Sequence, residues 1–254
     1  MIARVQPLPT PSRMPASARE TGPRDSSALD DVGLLARETL GERVTAELRA
    51  LLVSGRLAPG EKLSLRRVAE ALGVSMMPVR EAVSRLAADK ALEVLPGRAV
   101  RVPVLTLEQF RELTRLRLVV EGFAAEEAAR VATEEQVARV AVHEAIFAEA
   151  ANADPPRSAD GVAANRDLHF AIYEAAGMPA LVEMIERLWL KAGPILNIDM
   201  RHEPIRLKGG NAVQAHAALL DAMRRRDPAA ARAALESDIR AAAAHIESTG
   251  RLAE

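Results

Sequence analysis

Cysteine is absent from the 254 residues, which rules out disulfides, iron–sulfur clusters and thiol catalysis. Aromatic residues are scarce as well: one Trp, one Tyr and four Phe, or 2% of the chain. With so few rings and abundant alanine, closely packed helices are expected rather than a β-rich fold. No apolar run approaches the ~18 residues that a membrane span requires. No signal peptide is visible either, so the expected location is the cytoplasm. The usual marks of hydrolytic chemistry are also missing. There is no His-Glu-x-x-His, nucleophile elbow or phosphate loop.

The length leaves room for two domains with a sizeable core. The formal net charge of −1 hides an uneven distribution. Residues 36–103 hold 12 Lys and Arg against 8 Asp and Glu, whereas residues 104–254 hold 18 against 23. A basic module followed by an acidic one suits a phosphate-contacting domain joined to a sensor.

The segment Leu63 to Leu86, LSLRRVAEALGVSMMPVREAVSRL, reads as two short amphipathic helices around a glycine turn. Ser64 is placed to cap the first helix, whose apolar Leu65, Val68, Ala69 and Leu72 recur at helical spacing. Gly73 supplies the left-handed residue that ends it. Ser75 stands at the cap of the second helix and Pro78 in its first turn, where a missing N–H costs little. Val79, Ala82 and Leu86 share the face that packs on the first helix, while Arg80 and Ser84 point away. This is the helix-turn-helix layout, in which the N-terminal residues of the second helix meet base edges. Glu38 to Ser54 forms a preceding amphipathic helix closed by Gly55. Downstream, Ala91 to Pro96 and Val100 to Pro103 read as two strands around a basic turn at Gly97-Arg98-Ala99. A helix-turn-helix followed by such a hairpin is a winged helix.

Through residues 55 to 102, GRLAPGEKLSLRRVAEALGVSMMPVREAVSRLAADKALEVLPGRAVRV, the chain resembles the GntR family of bacterial transcription regulators. That family usually has Arg-Thr before the Pro-Val-Arg-Glu of its recognition helix, and Met76 and Met77 stand there instead. The resemblance implies double-stranded operator DNA as a partner, read by a homodimer over two half-sites. It places Arg66 beside the phosphates, Arg80 at a base edge and Arg98 in the minor groove from the wing tip. Arg67 and Lys62 are further phosphate contacts, and Met76 and Met77 are placed to touch thymine methyls.

Residues 1–33 carry Pro7, Pro9, Pro11, Pro15 and Pro23 without periodicity and read as a disordered tail. The winged helix then spans residues 34–103, and an all-α domain of six or seven helices spans 104–254. Thr106-x-x-Gln109 and Thr133-x-x-Gln136 are capping boxes that open its first two helices. Asp160 to Ala176 forms a third, Pro179 to about Lys191 a fourth, and Pro194 to Met200 a short separate fifth. Asn211 to Arg226 follows, and Asp227-Pro228 starts the last helix, which ends near Gly250. Through ELTRLRLVVEGFAAEEAA, NRDLHFAIYEAAG and the terminal helix pair, this half resembles the FCD-type ligand-binding domain of the FadR branch of that family.

Polar residues recur inside this helical half. Asn165 and His169 are four apart, hence on one helical face. His216 lies eleven residues before Asp227 and Asp238 eleven after it, about three turns each way, which sets them level in an antiparallel hairpin. Two imidazoles, a carboxylate and an amide oxygen suit a divalent metal such as zinc, nickel or manganese. By resemblance, His169 and His216 match ligands of the family, Asn165 replaces the usual Asp, and Asp238 replaces the last His. Arg117 matches an arginine that lines the family's pocket. It is open to two readings, an ion pair with Glu121 one turn on, or a bidentate grip on a carboxylate effector. Arg117, Asn165, His169 and His216 are therefore the candidate effector contacts, with Asn165, His169, His216 and Asp238 as metal ligands. The alternatives are a metal-free pocket that hydrogen-bonds the effector directly and, from another class, a metal-dependent hydrolase. Release from DNA is the expected sense of the effector response.

Overall fold

A computed structural model describes residues 39–154, 156–202 and 211–253, without the side chains of Arg98, Ser158 and residues 197–202. The tail expected over residues 1–33 lies outside the described residues. Helix α1 (Leu40–Val53) opens on a capping box. The Thr39 hydroxyl accepts from the Glu42 N–H, and the Glu42 carboxylate accepts from the Thr39 N–H at 2.7 Å. This exchange satisfies two backbone donors at once and sets the helix start at Leu40 rather than the expected Glu38.

Helix α2 (Leu65–Leu72) is capped by Ser64 and ends at Gly73, whose φ of 64° is the left-handed conformation anticipated there. Helix α3 (Met76–Ala88) starts after Ser75, but the Ser75 side chain makes no capping bond. Val79, Ala82, Val83 and Leu86 of α3 pack with Val44, Leu48 and Leu52 of α1 in the core of this half. Three two-residue strands complete it: β1 (Lys62–Leu63), β2 (Glu93–Val94) and β3 (Val100–Arg101), antiparallel in the order β1-β3-β2. The β2–β3 hairpin is the wing, turned through Pro96–Arg98 with Gly97 at φ 78°. Strand β1 was not anticipated, because two residues between a loop and a helix cap carry no readable alternation.

Among the described residues, the second half holds six helices: α4 (Leu107–Val131), α5 (Glu134–Asn152), α6 (Ser158–Ala175), α7 (Pro179–His202), α8 (Asn211–Arg224) and α9 (Pro228–Ser248). Both expected capping boxes form, at Thr106 with Gln109 and at Thr133 with Gln136. Asp227 caps α9 by accepting from the Ala230 N–H, with Pro228 at the first helical position. Alanines 124, 125, 128 and 129 of α4 are fully buried and let the neighbouring backbones approach closely around Leu235, Ile239 and Met223. Among the described residues no helix is long and apolar enough to cross a membrane.

The largest departure from the sequence reading is at Pro194. Pro179–Lys191 and Pro194–Met200 are a single helix, α7, which runs through Pro194. Proline in a helix interior removes one N–H bond and costs about 3 kcal/mol. Burial on both sides offsets this, with Ile185, Trp189, Leu190 and Ala192 before the proline and Ile195 and Leu196 after it. Helix α7 also ties the halves together. Leu190 belongs to the winged-helix core, and Gly193 lies so close to α1 that a Cβ there would meet the Val53 and Leu52 carbonyl oxygens at 2.7 and 2.8 Å.

Candidate functional site

Two places carry the polar chemistry, one on each half. On the winged helix, α3 turns Val79 and Leu86 inward and thereby presents Arg80 and Met77 to solvent. Met77 is 73% exposed. Met76, one residue earlier, is half-buried and packs against the core, so its side chain is committed inward. Arg67 and Lys62 are exposed. Arg66 is exposed too, but its Nε donates to Glu70 at 3.0 Å along the helix. Arg101 donates to Glu93 across the wing at 2.7 Å. Arg98 stands in the wing turn, and its side chain lies outside the described residues. In water an exposed i,i+4 pair contributes only about 0.3–0.5 kcal/mol, so Glu70 holds Arg66 loosely enough for exchange to a phosphate.

The second place is the interior of the bundle. Helix α6 supplies His169, α8 supplies His216 and α9 supplies Asp238, all buried. His169 Nε2 lies 3.4 Å and His216 Nε2 3.8 Å from Asp238 Oδ2. The three donor atoms fall within 4.8 Å of one another. Asn165 lines the same small cavity as His169 and Asp238, together with Arg117 and Trp189. The cavity measures about 10 Å³, room for one water-sized sphere.

Neither ring nitrogen of His216 has a hydrogen-bond partner, although both are buried. A buried polar atom without a partner is costly, and here one of the two, Nε2, lies 3.8 Å from a carboxylate oxygen. Burial favours an uncharged Asp238, but the His169 and His216 nitrogens more than offset it and hold the carboxyl well below its usual range. Burial also pushes His169 down, against the pull of Asp238. A divalent cation takes neutral imidazole and ionised carboxylate as ligands, and the directions for His169 and Asp238 match that demand. The residues present therefore fit a metal.

Of the two readings of Arg117, the ion pair with Glu121 forms. Arg117 Nε and Nη2 donate to the Glu121 carboxylate at 2.6 and 3.1 Å, yet the pair is buried and Arg117 borders the cavity. The guanidinium also lies 5.3 Å from the Trp189 ring centroid. Sequence reasoning missed Glu121 as a member of the site, along with Tyr173, Trp189 and Phe147. The Tyr173 hydroxyl bridges His169 and Glu121, and the Phe147 ring stands 4.6 Å from that of His216. Tyr173 follows His169 by four residues on the same helical face, and that spacing was the available signal.

Comparison with known proteins follows the same division. Residues 40–102 match the family described as "Bacterial regulatory proteins, gntR family", and residues 112–241 match the FCD domain. The chain belongs to the GntR family and carries an FCD domain; it is a transcription regulator and not an enzyme. It is 34% identical over 166 residues to the HTH-type transcriptional regulator McbR of Escherichia coli (strain K12), spanning 65% of this chain and 74% of that one. The solved structure of E. coli McbR/YncC superposes with a TM-score of 0.77 at 30% identity, covering 84% of this chain and 99% of that one. The gluconate operon transcriptional repressor of Bacillus licheniformis is 36% identical over 103 residues, or 41% of this chain and 42% of that protein.

Proposed function

We propose that this regulator is a homodimeric repressor whose winged helix (residues 34–103) reads an operator with two half-sites. Its bundle (residues 104–254) holds a divalent metal and a small carboxylate effector that releases the DNA. The observation that carries the reading is the buried set of His169, His216 and Asp238, with unpartnered His216 nitrogens, in a chain whose residues 40–102 match the GntR winged helix. Zinc, nickel and manganese all suit two imidazoles, a carboxylate and the Asn165 amide oxygen. Such an ion supplies a Lewis-acid site for an effector oxygen. Charge supports an anionic effector. With both imidazoles neutral, Asp238 and Glu121 against Arg117 leave the buried set one negative charge, which a divalent ion turns to one positive. A singly charged carboxylate then brings the interior to neutrality, and buried charge is stable only when compensated.

Dimerisation is supported by the outward face of α4, where Leu116, Val119 and Phe123 are 48%, 61% and 38% exposed at helical spacing. On the DNA side, Arg80 and Met77 face the major groove, Arg66, Arg67 and Lys62 the phosphates, and Arg98 the minor groove. The relative named as a gluconate operon transcriptional repressor supports the reading of this chain as a repressor. A cytoplasmic location follows from operator DNA as the partner.

The test is a set of operator titrations by fluorescence anisotropy at several salt concentrations. Affinity falls steeply with salt, because several phosphates are neutralised. Arg80→Ala costs about 1–3 kcal/mol and relaxes the preference at one base pair per half-site. If it bound all site variants as the parent does, the placement of α3 would be wrong. His216→Ala removes the bound ion, measured by elemental analysis of the purified protein.

A further inference from the structure

Beyond the four proposed ligands, the buried polar set continues along α6 to α4. Tyr173 Oη lies 2.8 Å from His169 Nδ1 and 2.5 Å from Glu121 Oε2. Glu121 is fully buried and accepts two N–H groups from Arg117. Counting protons along this chain of contacts leaves one arrangement. The guanidinium only donates, and the carboxylate it pairs with only accepts. Tyr173 has a single hydroxyl proton, and the short contact to a charged acceptor takes it. The Tyr173 oxygen must then accept from His169, so the proton of the neutral imidazole sits on Nδ1. The lone pair is left on Nε2, the nitrogen that faces Asp238.

We infer that Glu121 and Tyr173 are positioning residues that order these protons, so that His169 always presents the lone pair of Nε2 to the metal. This rests on the metal reading above and deepens it. The 3.4 Å from His169 Nε2 to Asp238 exceeds the 2.7–3.2 Å of an N–H···O bond. A lone pair opposite a carboxylate, with a cation between, has that spacing. Metal-bound histidines generally donate their second ring N–H to an oxygen, which fixes ring orientation and raises basicity. Here the oxygen is a tyrosine hydroxyl whose own proton is committed to a carboxylate. Two helical turns supply the geometry: Glu121 lies four residues after Arg117 on α4, and Tyr173 four after His169 on α6.

The test uses the full chain stripped with chelator, with 15N-labelled histidine, alongside Tyr173→Phe, which keeps the ring and removes the hydroxyl. In the wild type, the His169 ring nitrogens report the Nδ1–H form. In Tyr173→Phe the proton moves to Nε2, toward Asp238, and cobalt(II) affinity, read from visible absorption, falls about 10–100-fold. A wild type with the proton on Nε2 overturns the inference without recourse to the variant. So does a Tyr173→Phe protein that binds cobalt within twofold of the wild type and keeps the Nδ1–H form. A wild type that takes up no cobalt fails differently: it overturns the metal reading itself and, with it, the role of the pair toward a metal.

Discussion

His169 sits with its ring fully enclosed, and burial makes its protonated form costly. Its affinity for a proton is thus lower folded than unfolded. A group whose affinity is depressed by folding contributes stability that is complete above its unfolded value and is lost as pH falls below it. Metal-free protein therefore loses thermal stability as pH falls below the 6.5 of an ordinary histidine. Asp238 stays ionised over that interval, because its own value lies well below 3.8. Melting temperatures in chelator at pH 7.5 and 5.5 check this, and His169→Asn flattens the slope. An equally steep slope in the variant would assign the pH dependence elsewhere. The grouping of His169, His216 and Asp238 was legible because helical spacing fixes faces within a helix and within a hairpin. The contact between Glu121 and Tyr173 was not, since they stand 52 residues apart and only the packing of α4 on α6 joins them.

The helix starts were the most readable elements. Thr106, Thr133 and Asp227 each cap a helix through a local side-chain bond, and such bonds depend on residues three apart. Helix α7 was misread at Pro194, because the local rule for proline is outweighed by contacts that only the tertiary fold supplies. Gly193, beside that proline, gives a test at this scale. Gly193→Ala places a Cβ against the α1 backbone, which cannot turn aside as a flexible side chain would. Overpacking of this kind costs about 1–3 kcal/mol, read as a lower melting temperature. An unchanged melting temperature would show that α1 and α7 stand further apart than described.

Across the molecule, the order of a winged helix before a bundle was legible, while the sharing of a core between them was not. Leu190 packs among Leu48, Leu52 and Leu86 of the winged helix, while Trp189, the next residue, lies over Arg117 and against His169. Neighbouring positions on one helix thus reach the DNA-reading half and the polar cavity. That cavity holds one water-sized sphere. Any effector larger than water must wait for the helices to part, so binding has a step whose rate is independent of ligand concentration. Stopped-flow Trp189 fluorescence then gives an observed rate that levels off with effector concentration, at the frequency with which the closed bundle opens. A rate that rises linearly without limit would mean that the site stands open in solution. The tight alanine packing of the bundle thereby works as a clock: it sets how soon the regulator can answer a change in its surroundings, whatever the affinity of the ligand.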